Sequence, residues 1–456
     1  MSSSGFRVRN ERLSDALRRY TEHLADQIQS YLAGGGKQFV LEQLRWKKGE
    51  GQSFIQQQET KQFPIYIQST LRGSLEQSKP YLDALDAFRS DPALLPLVDN
   101  LVGSLLGGVR VDAFRLINHL GYEMHKSSAK FEQGVFQSLY QSYESELYSD
   151  SVLNERLTPI LGLSISEDIE IAPGLSLSRL TDDEVCDLLT HSFVLGRELP
   201  TGGFGANTVI EIHHGAIRNQ IYSPRRIGDA AFADPSAPKA EVKEFLEEVN
   251  EHLLIRALHV YKRGQLHVAG SLTRARGFFQ TGVGYRVTPP ETPPGPGTYV
   301  LTSNDAASLR TLFQDLESLG VARARWLEVA VRRFVYAAER KREEDRLLDY
   351  LIAAEAMFLT DTENQGEIRH RLSMRTARFL ETALSERREV SRFMRDAYDL
   401  RSKVVHGATP EVRSKAIDLG TFNAKLDSLL RRALQEFIRT VASGGSAPDW
   451  TDVMLS

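Results

Sequence analysis

Residues 345–381 read DRLLDYLIAAEAMFLTDTENQGEIRHRLSMRTARFLE, and this stretch decides the fold class of the C-terminal third. Leu347, Leu351, Ala354 and Phe358 recur at helical spacing, which predicts an amphipathic helix. The polar run Asp361–Gly366 breaks it, and a second helix is expected from Glu367 to about Leu384. The pattern extends in both directions. A long helix is predicted from about Arg323 to Leu359. Before it, SNDAASLRTLFQDLESLG (residues 303–320) starts with polar N-cap candidates and stops at a glycine. A third helix is predicted from about Glu386 to Val405. A fourth carries Leu426, Leu430, Leu434, Phe437 and Val441 near one stripe. Helices with short joints make an antiparallel bundle, assigned to residues 303–456.

Upstream the pattern changes. Residues 151–302 predict a β-rich middle domain. DIEIAPGLSLSRL (168–180) alternates around a Pro-Gly turn, and NTVIEIHH (207–214) alternates like a half-buried strand. LIRALHVYKRGQLHVAGSL (254–272) predicts two strands around Lys262-Arg263-Gly264. TDDEVCDLL (181–189) predicts a short helix with Thr181 as N-cap and Glu184 completing a capping box. The proline-rich TPPETPPGPG (288–297) is a loop or linker. Residues 1–150 are expected to be mostly helical. Leu13, Leu17, Tyr20, Leu24, Ile28 and Leu32 mark one helix that ends at Gly34-Gly35-Gly36. GEGQSFIQQQETK (49–61) is expected to be a loop, and LLPLVDNLVGSLLG (94–107) a buried core helix. The expected class is therefore α+β and multidomain.

Composition narrows the function classes. The 456 residues carry a net charge of −4, so the chain as a whole is no electrostatic nucleic-acid or membrane binder. Val321–Ser456 is slightly basic, with 24 Lys and Arg against 21 Asp and Glu. Most of these cations are arginines, which suit bidentate phosphate contacts. One cysteine, Cys186, excludes an internal disulfide framework and a cysteine-based zinc site, and fits a reducing cytoplasm. MSSSGFRVRNERLSD lacks the apolar core of a secretory signal. No run of about 18 apolar residues predicts a membrane span. A cytoplasmic protein without a membrane partner is expected.

Most motif-like fragments carry no chemistry. TGGFGAN (201–207) lacks the Gly-Lys-Ser/Thr ending of a phosphate loop, and GVGY (282–285) is too short for a dinucleotide fingerprint. His213 and His214 are adjacent and point to opposite faces of a strand. His119 and His125 have no carboxylate pattern beside them. No metal site and no cofactor are expected.

Two features remain. Glu355 sits beside the apolar stripe of LIAAEAMFL (351–359), where a buried carboxylate needs a partner. Arg375 and Arg401 are the candidates. YDLRSKVVHG (398–407) is the second feature. On a helical wheel with Arg401 at zero, Ala397, Leu400, Val404 and Val405 lie between about −100° and +40°. Arg401 thus shares the apolar face, while His406 falls about 140° away, near Asp399. Two arrangements fit: the helix ends near Val405, with Gly407 as the C′ residue, or two copies of the chain face each other across a symmetric interface.

These two segments together resemble the HEPN superfamily, specifically the Apea-like HEPN domain, over about residues 322–441. The matched features are Glu355, the Glu367–Arg375 segment running into RTARFL, and YDLRSKVVHG. PILGLSISEDIEIAPGLSLSRLTDDEV (159–185) is similar to a segment often found upstream in such proteins. The resemblance implies an all-α HEPN bundle. Its arginine-to-histidine signature maps onto Arg401 and His406, with Ser402 where many members carry Asn or Asp.

The resemblance further implies a metal-independent RNA endonuclease acting as a homodimer, in defence or toxin systems. Tyr398, Asp399, Ser402, Glu355 and Arg375 would be supporting residues. Residues 1–302 would then hold a sensor for an unknown trigger. The alternatives are a non-catalytic dimeric RNA-binding or scaffold protein, and an antitoxin partner of a nucleotidyltransferase.

Overall fold

The computed structural model describes residues 8–36, 40–51, 53–62, 64–104, 107–127, 130–200, 207–210, 215–228, 251–275, 277–279, 283–288, 298–322, 324–360, 367–406, 411–412 and 415–455. The polar break at 361–366, Gly407, His213, His214, most of the glycine-rich 201–207 stretch and nearly all of the proline-rich one lie outside them.

The N-terminal part combines helices with two hairpins. Helix α1 (Glu11–Ala33) starts on Asn10, whose side chain accepts from the Leu13 amide. It is followed by β1 (Val40–Lys48), β2 (Phe54–Gln62), α2 (Pro64–Glu76) and α3 (Lys79–Arg89). Then come β3 (Asn100–Ser104), β4 (Gly107–Val111), α4 (Ala113–Ser127) and α5 (Gln133–Leu147). Two expectations are corrected here. Phe54–Gln62 is a strand paired along its whole length with β1, not a loop. LLPLVDNLVGSLLG is a 3-10 turn followed by a β-hairpin, not a core helix. A short apolar run cannot be told from a helix by periodicity, and pairing of β3 with a distant strand decides it.

The middle part is sheet-rich. Its strands are β5 (Ser151–Leu161), β6 (Leu163–Ile165), β7 (Ile169–Ala172), β8 (Leu175–Arg179), β9 (Arg197–Pro200), β10 (Asn207–Ile210), β11 (Gly215–Pro224) and β12 (Arg226–Ile227). Helix α6 (Asp182–Thr190) carries the expected capping box, with both reciprocal bonds between Thr181 and Glu184. Helix α7 (Glu251–Tyr261) replaces the expected first strand of the 254–272 hairpin. Leu254, Ala257, Leu258 and Val260 are all fully buried, and the polar Glu251 and His259 are buried as well, so the contrast between its faces is weak. The chain continues through β13 (His267–Val268), β14 (Gly270–Ala275), β15 (Val283–Val287) and β16 (Tyr299–Leu301).

A seven-stranded sheet runs β15-β14-β5-β11-β8-β7, with β13 also on β5. Both of its faces are covered. Leu157, Leu161, Ala216 and Leu272 pack with α6 residues Val185 and Leu188. Ile160, Leu175, Leu177 and Ile217 join the core that contains α7. Burial on both sides explains the unbroken buried end of β5.

The C-terminal helices are α8 (Ser303–Ala322), α9 (Arg325–Glu339), α10 (Glu343–Phe358), α11 (Ile368–Leu380), α12 (Leu384–Val405), α13 (Leu419–Ala442) and α14 (Trp450–Leu455). The hairpin β17 (Glu411–Val412) and β18 (Lys415–Ala416) lies between α12 and α13. The single long helix expected over 323–359 is two helices. Arg340 has extended backbone and ends α9, and Glu343, Glu344 and Asp345 fill the first turn of α10. The two helices pack on each other: buried Asp349 binds Arg333 at 2.9 Å and Arg340 at 2.7 Å, and the Phe334 and Tyr350 rings lie 5.4 Å apart. The apolar core is continuous across residue 302. Leu254, Leu258 and Tyr299 share one cluster with Phe313, Phe334, Leu351, Leu400 and Phe437. Among the described residues, no helix is long and apolar enough to cross a membrane.

Candidate functional site

The final three turns of α12 carry the sequence candidates. Ala397 and Leu400 are buried and fix the helix against the bundle. Arg401, one residue further round, lies half-buried at the edge of that contact. Its Nη1 is 3.3 Å from Oε1 of Glu355, in the last turn of α10. Of the two arginines considered for Glu355, Arg401 makes this pair. Its guanidinium also lies over the Tyr398 ring, 5.6 Å from the centroid, a cation–π placement.

Arg375 is buried and its Nη1 donates to the Phe358 carbonyl at 2.9 Å, while the guanidinium covers Trp450 at 5.2 Å. It thus satisfies one of the carbonyls left open at the end of α10. Asp399 is paired with Arg369 on α11. Ser402 is exposed, and its carbonyl accepts from the His406 amide at 3.2 Å.

Helix α12 ends at Val405, and His406 is its exposed C-cap residue with φ −89° and ψ 7°. The helix end near Val405 is as the first of the two arrangements had it, and Gly407, its expected C′ residue, lies outside the described residues. Among the described residues, no hydrogen bond or ion pair engages the His406 ring. The imidazole therefore lies exposed at the C-terminal end of the helix.

Glu355 is held in an unusual state for an acid. Burial pushes its pKa above the ordinary value, and Arg401 opposes that shift. The Arg401 guanidinium is thus held between a carboxylate of raised proton affinity and an aromatic ring, on the helix whose exposed end carries His406. A guanidinium can hold a phosphate diester, and an imidazole can move protons. Sequence reasoning missed two contributors. Arg369 anchors Asp399, and Trp450 covers Arg375 from beyond the bundle's last long helix. Neither follows from spacing along the chain.

Among the described residues, no cluster of three His, Cys, Asp or Glu side chains is placed to hold a metal ion. The chain matches no family model, no curated protein and no solved structure.

Proposed function

We propose that the C-terminal bundle is a HEPN-type, metal-independent RNA endonuclease, of the defence or toxin class, regulated by residues 1–302 and acting as a homodimer. The observation that carries this reading is the Glu355–Arg401 pair on the helix whose exposed end carries His406, a ring that no hydrogen bond or ion pair engages among the described residues.

In this mechanism the ribose 2′-oxygen attacks the adjacent phosphorus. The bond from phosphorus to the 5′-oxygen breaks, leaving a 2′,3′-cyclic phosphate and a 5′-hydroxyl. DNA lacks the nucleophile and is not cut. His406 moves protons to or from the reacting oxygens. Arg401 binds the phosphate oxygens and stabilises the charge they gain. Glu355 and Tyr398 hold the guanidinium before substrate arrives. The symmetric dimer supplies a second His406, so one imidazole accepts the 2′-proton and the other protonates the leaving oxygen.

The test is RNA cleavage in EDTA by the purified chain. Wild type is expected to yield 2′,3′-cyclic ends, and Arg401→Ala and His406→Ala to remain folded and inactive. Absence of cleavage by wild type, or cleavage only with added metal, overturns the mechanism.

One observation favours a second reading, a non-catalytic dimeric RNA-binding or scaffold protein. Arg401 is already engaged by a carboxylate in its own chain, and Ser402 stands where active members often carry Asn or Asp. Wild-type function in a His406→Ala variant would select that reading.

A further inference from the structure

The N-terminal part contains a cavity of about 560 Å³ that the ribonuclease reading does not use. It is large enough for a small organic ligand. Helices α2 and α4 form two sides. The third comes from Gly277–Phe278, which follow β14 of the middle sheet. Phe278 is inserted among N-terminal core residues, with its ring 4.7 Å from His119 and 5.3 Å from Tyr143. Gly277 has φ +86°, and a Cβ there would strike the Glu146 carboxylate. That carboxylate accepts from the Phe278 amide at 2.5 Å, so the segment is fixed.

Three properties of the lining point to one chemistry. The first is aromatic surface: Phe114 and Phe278 both line the cavity and are both almost fully buried. Such walls accept flat heteroaromatic rings.

The second is an incomplete amide relay at the floor. The Tyr20 hydroxyl lies 3.1 Å from Asn118 Oδ1, and Asn118 Nδ2 donates to Gln68 Oε1 at 2.5 Å. Gln68 has no exposed surface, yet among the described residues its Nε2 has no hydrogen-bond partner. A buried donor left unmatched in a polar cavity points to an acceptor that arrives from outside.

The third is an available cation. Arg115 lies over Phe278 at 5.4 Å and donates to the Phe278 carbonyl at 3.4 Å. Among the described residues no carboxylate pairs with its guanidinium. Arg72, across the cavity, is by contrast committed to Glu76 and Asp112.

We propose that this cavity binds a nucleoside monophosphate. The base lies against the aromatic wall with a ring nitrogen or carbonyl oxygen accepting from Gln68, and the phosphate takes Arg115. Cutting the Arg115–Phe278 bond is then part of binding. The ligand would thereby act on the contact between the N-terminal helices and the middle sheet. This site is independent of the ribonuclease reading.

The test uses the full-length His406→Ala chain, so that RNA turnover cannot supply or consume ligand. AMP, GMP, CMP, UMP, adenosine and inorganic phosphate are titrated by calorimetry. At least one monophosphate is expected to bind, with its nucleoside and free phosphate each about tenfold weaker or more. Arg115→Ala is expected to weaken the monophosphate about tenfold and leave the nucleoside unchanged. Gln68→Leu is expected to weaken both, with the unliganded Tm as the control for folding. No binding by any of the four nucleotides at millimolar concentration overturns the proposal. Binding that survives Arg115→Ala unchanged also overturns it, even where Gln68→Leu fails to fold.

Discussion

Arg401 and Glu355 are 46 positions apart in the sequence and 3.3 Å apart in the bundle. The pair joins the last turns of two helices, α10 and α12, at the one edge where both are half-buried. The cation stands on the same helix as His406, which caps its C-terminal end. A carboxylate at this point both holds the guanidinium and competes with any phosphate for it.

Removing that charge while keeping the shape is therefore informative. Glu355→Gln is expected to lower RNA cleavage about tenfold, the usual effect of loosening a residue that orients a reacting group. The pH profile carries a second signature. Because the pKa of Glu355 is raised, acidification protonates it and breaks the pair before ordinary carboxylates titrate. Wild-type activity is expected to fall on this acidic limb, and the Gln variant to lack it. Initial rates from pH 4.5 to 8 measure both.

Asp349 is the tie between α9 and α10. It is buried and bound by two arginines that are themselves partly exposed. Asp349→Ala frees both cations to water, so the loss is that of the charged hydrogen bonds, about 2 kcal/mol. Urea denaturation should show a lowered midpoint at unchanged slope. Arg333→Ala added to Asp349→Ala should cost less than it does alone.

Trp450 anchors the short terminal helix. It is 4% exposed, sits among Phe358, Phe379 and Phe437, and its Nε1 lies 3.2 Å from the Thr360 hydroxyl. Trp450→Ala is expected to destabilise by about 3 kcal/mol, with a much smaller loss for Trp450→Phe. The Ala variant should also speed hydrogen exchange in α14 and at the end of α11, where Arg375, Arg378 and Phe379 meet it. Unchanged thermal stability in Trp450→Ala would show that α14 does not dock.

His259 gives the fold a defined acid response. Burial, reinforced by Arg431 and opposed by Asp427, lowers its pKa from 6.5 to about 4. A lowered folded pKa means that the unfolded chain binds the proton more tightly. The stabilising contribution is thus complete above pH 6.5 and is lost as pH falls toward 4. The largest loss is about 3 kcal/mol. Thermal melts from pH 7 to 4 should show His259→Gln losing less stability than wild type across that window.

Much of the C-terminal part was legible in the sequence. The stripe through Leu426, Leu434 and Phe437 and the Thr181–Glu184 capping box are local patterns, and the elements they predict are present. Local patterns failed where burial removed the contrast they need. Leu254–Val260 is apolar at all but Arg256 and His259, and His259 is itself buried, while the Leu94–Gly107 run is broken by Pro96, Asp99 and Gly103. The break at Arg340 lacks the glycine or proline that usually marks one.

The chain's own sequence determined that the C-terminal part is helical, that Arg401 shares an apolar face, and that His406 stands near a helix end, because each depends on residues within a few turns of one another. Only the tertiary structure decided that Arg401 meets Glu355 while Arg375 turns to Trp450, and that Phe278 from the middle sheet closes a cavity among the N-terminal helices. Those choices depend on packing between segments far apart in the chain, and no spacing along a single helix or strand encodes them.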